Sequence, residues 1–187
     1  MRGFYGIGVE GISKIANVGS LFRTAHAFQA SFVFTIGTDY SRMQGKRTDT
    51  SDTTRQLPFY AFPDATALML PQGCKLVGVE LTDEAIDLPV FRHPYNAAYV
   101  LGRERGSLTP ALQERCDFMV KIPTRFCLNV ALAGALVMYD RLLSFGRFPD
   151  RAAKPGEKPE ARQHTFGTPI FRNPENLARF RMEPPEE

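Results

Sequence analysis

The sequence has no tryptophan and only three cysteines, Cys74, Cys116 and Cys127. Their number is odd, none forms a Cys-x-x-Cys pair, and no histidine stands at zinc-ligand spacing. That argues against a disulfide framework or a structural zinc site, so no metal is expected and a reducing compartment fits. No stretch approaches the roughly 20 apolar residues of a membrane span. The opening residues, Met1 to Gly6, lack the apolar run of a secretory signal. A soluble cytoplasmic protein with no membrane partner is expected. Charge is nearly balanced, with 23 Lys and Arg against 20 Asp and Glu, a net +3. That permits a nucleic-acid partner without arguing for one. Internal repeats and long low-complexity runs are missing too.

What the sequence does have is a core. Of 187 residues, 43% are hydrophobic and 15 are Phe, enough for one domain of ordinary size. Strand-like apolar runs at 4–9, 31–36, 75–81, 97–101 and 118–122 alternate with helical patterns. Leu21, Phe22, Ala25 and Phe28 recur at helical spacing, with Asn17 or Ser20 as candidate cap. Asp64 to Leu70 reads as a short helix stopped by Pro71 and Gly73. Thr109-Pro110 starts another, with Pro at the first helical position. Leu132, Leu136, Tyr139 and Leu143 mark one face of a long last helix, and Val137 and Met138 give it a second apolar face. The alternation predicts an α/β fold, a mostly parallel sheet with helices on both faces. Seven of the 14 prolines fall in residues 149–187, so a domain over 1–146 and a Pro-rich, charged extension over 147–187 are expected.

Four segments invite a chemical reading. Gly6-x-Gly8-x-x-Gly11 has dinucleotide-loop spacing, but its first two glycines fall inside a strand, out of context for that motif. Asn17-Val18-Gly19-Ser20-Leu21-Phe22-Arg23 sets a cation beside an apolar stripe, where it needs an anionic partner. Leu101-Gly102-Arg103-Glu104-Arg105-Gly106 follows a strand and precedes a helix, the usual place for a ligand loop. Finally, Ile122-Pro123 ends a strand and Cys127-Leu128-Asn129-Val130 opens the last helix, with Asn129 a natural cap.

In this order and on these elements, the last three segments resemble the SPOUT superfamily, and within it the TrmH-like RNA 2′-O-ribose methyltransferases. The resemblance covers about residues 4–146. It rests on Asn17, Gly19 and Arg23, on Leu101 to Gly106 with one residue fewer than usual between Glu and Gly, and on Ile122-Pro123 with Leu128-Asn129-Val130. Cys127 stands where the family has Ser.

The resemblance implies a deep C-terminal trefoil knot, a homodimer, and S-adenosylmethionine held bent in the knotted loops. On this chain those loops are Val79-Glu80, Leu101-Gly102 and Ile122 to Leu128, with Cys127 among them. It puts Arg23 at the ribose hydroxyl of tRNA or rRNA, with Asn17, Glu104 and Asn129 orienting it, the ribose and the loops. A guanidinium stays protonated at physiological pH, so Arg23 is read as a fork holding phosphate and stabilising alkoxide charge. Arg42, Lys46, Arg47 and Arg55 form a candidate RNA-contact surface. The alternatives are a base methyltransferase of the same superfamily, or an RNA-binding protein that kept the fold without transfer.

Overall fold

A computed structural model describes residues 3–11, 14–38, 40, 53–102, 106–146, 148–149, 151–152 and 154–159. The chain divides into two compact units, residues 1–146 and 147–187. In the second, Lys154 Nζ lies 3.7 Å from Glu157 Oε1 across one turn.

In chain order the first unit runs β1 (Tyr5–Glu10), α1 (Ile15–Ala27), β2 (Phe32–Ile36), α2 (Thr53–Gln56), β3 (Phe59–Phe62), β4 (Lys75–Val79) and β5 (Ile86–Asp87). It continues with a 3-10 turn (Leu88–Val90), β6 (Ala97–Leu101), α3 (Pro110–Gln113), β7 (Phe118–Lys121) and α4 (Val130–Phe145). Among the described residues, seven strands form one sheet in the order β3-β2-β1-β6-β4-β7-β5, and each of their pairings is parallel. All strands therefore end at the same edge. The inner strands β2 and β6 are buried at every position, which is why they read as unbroken apolar runs.

One face of the sheet packs Tyr5, Ile7, Val9, Tyr99 and Leu101 against Val18, Leu21, Phe22 and Ala25 of α1 and Val137 and Met138 of α4. The other packs Phe32, Phe34, Ala98 and Val100 against Leu112 of α3 and the turn residues Ala65 and Leu68. The two long helices thus share one face, and a single helical turn with an irregular segment covers the other.

Gly6 and Gly8 belong to this packing. A Cβ on Gly6 would overlap the Phe32 ring, and one on Gly8 would overlap both the Phe34 ring and its carbonyl. The glycine spacing that imitates a dinucleotide motif is there to admit two phenyl rings. Gly8→Val is expected to cost at least about 2–3 kcal/mol, read as a lower chemical-denaturation midpoint with unchanged slope.

Two sequence readings are corrected, and the face of the last helix is settled. α1 starts at Ile15, before Asn17 and Ser20, and its N-cap, Lys14, makes no side-chain cap. Ser20 instead donates to the Ala16 carbonyl at 3.0 Å inside the helix. Residues 64–70 are not helical. The Asp64 carboxylate accepts from the Thr66 hydroxyl and from the amides of Thr66 and Ala67, closing a local turn. Arg115 then occupies the Ala65 and Leu68 carbonyls. On α4, Leu132, Leu136, Tyr139 and Leu143 are 60%, 43%, 51% and 41% exposed, while Val130, Gly134, Val137, Met138 and Arg141 face inward. The stripe that periodicity singles out first is the outward one.

Candidate methyl-donor cleft

The carboxyl ends of β6, β4 and β7, three neighbours in the sheet, surround a cleft of about 230 Å³. Such a crevice outside the strand ends is where open α/β sheets place ligands. Val79 and Leu101 end their strands and supply apolar walls, Ile122 and Leu128 add two more, and Glu80, Gly102 and Cys127 complete the set named from the sequence. The first turn of α4 closes one side through Val130 and Ala133.

Local chemistry fixes each wall. Glu80 Oε2 accepts from the Leu108 amide at 3.0 Å, tying the segment after β6 to the end of β4. Glu10 holds the next residue, accepting from the Thr109 amide at 2.7 Å and the Thr109 hydroxyl at 2.5 Å. Thr109 in turn caps α3 by accepting from the Leu112 amide. After β7, Thr124 Oγ1 donates to the Phe126 carbonyl at 2.9 Å. Asn129 Oδ1 accepts from the Ala131 amide at 2.9 Å and starts α4. Gly102 leaves a cradle: a Cβ there would come within 3.2 Å of both Glu80 Oε2 and the Leu108 amide nitrogen. Apolar walls with one carboxylate and close main chain suit a ligand that joins a flat apolar ring to hydroxyl or ammonium donors.

The remaining candidates lie elsewhere. Arg23 is exposed on α1, and no described hydrogen bond or ion pair engages its side chain. Asn17 is half-buried in the first turn of the same helix. Neither lines the cleft, and Asn129 borders it only as the helix cap. Arg55 is exposed on α2. Glu104, Arg42, Lys46 and Arg47 lie outside the described residues. Among the described residues, no three His, Cys, Asp or Glu side chains come together as metal ligands. No described helix is long and apolar enough to cross a membrane.

A second polar cluster was not anticipated. Arg141 is 1% exposed beneath α4. It donates to the Pro94 carbonyl at 2.6 Å, the Tyr95 carbonyl at 2.6 Å and the Tyr99 hydroxyl at 3.1 Å. Its guanidinium lies over the rings of Tyr5 and Phe145, 5.0 and 4.7 Å from their centroids. Tyr99 meets His93 Nδ1 at 2.6 Å, and His93 Nε2 meets Asp140 Oδ2 at 2.9 Å. One assignment satisfies the whole chain: Arg141 donates to Tyr99, Tyr99 to His93, and His93 to Asp140. Burial pushes the Tyr99 hydroxyl up to about 12 and lowers His93, the latter against the opposing pull of Asp140. The sequence signal was present, because Arg141 falls on the helical stripe of Val130, Gly134, Val137 and Met138.

The profile of the SpoU rRNA Methylase family matches residues 6–139, the span that builds both sheet and cleft. The chain belongs to this family. SpoU relatives include a mouse protein named tRNA (guanosine(18)-2′-O)-methyltransferase TARBP1, 30% identical over 69% of this chain and 9% of the relative. A protein of Escherichia coli K12 with the name tRNA (guanosine(18)-2′-O)-methyltransferase is 24% identical over 71% of this chain and 60% of its own. The chain therefore spans about a tenth and three fifths of these relatives' lengths. Among solved SpoU structures, AviRb of Streptomyces viridochromogenes in complex with the cofactor AdoMet superposes with a TM-score of 0.65. It is 23% identical and covers 76% of this chain and 61% of AviRb. That likeness is one of fold.

Proposed function

We propose that this chain transfers the methyl group of S-adenosylmethionine to a ribose 2′-hydroxyl of tRNA or rRNA, working as a cytoplasmic homodimer with a knotted C-terminal crossing. The observation that carries the reading is the cleft at the ends of β6, β4 and β7. It gathers Val79, Glu80, Leu101, Gly102, Ile122, Cys127 and Leu128, in a chain whose SpoU relatives are named as tRNA 2′-O-methyltransferases.

When bound, S-adenosylmethionine supplies an electrophilic methyl on a good leaving group. The chain's own task is then alignment and removal of the hydroxyl proton. Val79, Leu101, Ile122 and Leu128 would hold the adenine ring, and Glu80 the polar donors beside it. Arg23 would grip the RNA phosphate with its planar fork and stabilise the developing alkoxide, while Asn17, Glu104 and Asn129 orient that assembly. Arg23 does not line its own chain's cleft, and a second copy would supply it. The outward stripe of α4, beside α1, is the surface offered for that pairing. Arg42, Lys46, Arg47 and Arg55 would hold phosphates further out.

Calorimetry with S-adenosylhomocysteine and with NAD, sedimentation at micromolar concentration, and transfer of labelled methyl to tRNA test the parts separately. Binding of S-adenosylhomocysteine but not NAD, a dimer, and label retained in 2′-O-methylnucleosides are expected. Label in base-methylated nucleosides would move the assignment to base chemistry, and RNA binding without transfer would move it to a binding protein. Leu128→Arg, which sets a charge against an apolar wall, should weaken S-adenosylhomocysteine by about 10- to 100-fold.

A further inference from the structure

The loop between β7 and α4 presents an aromatic ring that neither the fold nor the methyl-donor cleft uses. Phe126 is 74% exposed, although its neighbours Cys127 and Leu128 turn into the cleft wall. The loop does not hang free at this point. The Thr124 hydroxyl donates to the Phe126 carbonyl, and three residues on, Asn129 anchors the chain as the cap of α4. Phe126 is therefore held outward from a backbone pinned on both sides. Arg125, beside it, is also exposed, and no described carboxylate pairs with it.

An outward ring held at the mouth of a reaction cleft, with a cation next to it, matches the chemistry of an unstacked nucleotide. A base offers a flat π-face to the ring, and its phosphate offers charge to the guanidinium. We infer that Phe126 is a stacking platform for a nucleobase of the RNA at or next to the methylated nucleotide, with Arg125 taking the adjoining phosphate. This rests on the reading of the chain as an RNA methyltransferase. Phe126 is thus a positioning residue: it splays the nucleotide so that the ribose reaches the cleft and takes no part in the transfer itself. A duplex keeps its bases stacked on one another, so the platform favours a loop, bulge or flexible end as the target site.

The test compares Phe126→Ala, Phe126→Trp and the unchanged full-length chain. It uses bulk tRNA for methyl transfer, fluorescence anisotropy with the same tRNA for affinity, calorimetry with S-adenosylhomocysteine, and sedimentation. Phe126→Ala should weaken tRNA about tenfold or more, the size of one lost base–aromatic stack, and raise KM for RNA by a like factor. S-adenosylhomocysteine affinity and sedimentation should not change, and Phe126→Trp should restore RNA affinity. Arg125→Gln should flatten the salt dependence of tRNA binding by about one ion. Loss of S-adenosylhomocysteine binding in Phe126→Ala would make the ring a cofactor lid and overturn the platform. A change in sedimentation would make it part of an interface between copies, and would overturn it equally. If the unchanged chain binds and methylates tRNA while Phe126→Ala does so as well, the platform alone fails. If the unchanged chain does neither, the function reading fails and the platform with it.

Discussion

Arg23→Ala should reduce methyl transfer by on the order of 100- to 1000-fold, the range seen when one preorganised donor to a developing oxyanion is removed. Its affinity for S-adenosylhomocysteine should stay within about twofold of the parent, because the proposed partners of Arg23 are the RNA phosphate and ribose oxygen, and Arg23 is not among the residues that wall the cofactor cleft. The substitution is mild for the fold: the side chain is exposed on α1, and Ala is the best helix former. Arg23→Lys should fail almost as badly, since an ammonium is a point charge and cannot make a planar two-pronged contact. Circular dichroism and calorimetry on each variant separate lost chemistry from lost structure. If Arg23→Ala kept near-parental transfer, Arg23 would be an ordinary surface residue of α1, and the ribose assignment would lose its main support. Mixing Arg23→Ala with Leu128→Arg adds a sharper readout. If sites are completed across two copies, the mixed dimer regains one intact site, and activity rises above either variant alone.

The second large effect falls on stability. Arg141→Ala strands the carbonyls of Pro94 and Tyr95 that the guanidinium now satisfies, at about 1–3 kcal/mol each. It also opens a cavity between Tyr5, Tyr99 and Phe145, at a further cost. A total of roughly 3–5 kcal/mol is expected, a large part of the about 5–15 kcal/mol that holds a typical domain together. Arg141→Lys should recover only part of it, because one ammonium cannot reach both carbonyls and the Tyr99 hydroxyl.

The same cluster sets a pH dependence. Burial lowers the pKa of His93 in the folded chain, so below about 6.5, the free value, the unfolded chain takes up the proton first. Stability is then present in full above about 6.5 and lost as pH falls through that value. Thermal melts from pH 8 to 5 should show the decline, and His93→Gln should lack its first part.

The inner strands were legible because parallel strands buried on both faces must be continuously apolar. The Thr109 and Asn129 caps were legible because a cap is a local matter of one side chain and the amides just after it. What escaped was decided at long range. β3 lies at the sheet edge between Pro58 and Pro63, and β5 pairs over only two residues, so neither leaves a run long enough to read. The 64–70 segment has helical composition, but Arg115, some fifty residues away, claims its carbonyls. In the cleft, the residues named from family motifs stand at strand ends or, for Cys127 and Leu128, in the loop just before α4. Val130 and Ala133 escaped because a helix start looks the same in sequence whether it faces solvent or a ligand. Glu10 escaped because its partner, Thr109, lies 99 residues further along.

α4 meets two surfaces at once. Val130 and Ala133 touch the cleft, while Leu132, between them, points outward at 60% exposure. These residues sit on one turn of helix, so if a second copy covers the stripe, as proposed, filling of the cleft and pairing act on a common element and the two equilibria form a closed cycle. Closure requires equal exchange: if a filled cleft tightens self-association by some factor, association must tighten the cleft by that same factor. With that coupling, dilution would also titrate the proposed methyl-donor site. The apparent affinity for S-adenosylhomocysteine should drift with protein concentration by the ratio that sedimentation, run with and without that ligand, reports independently.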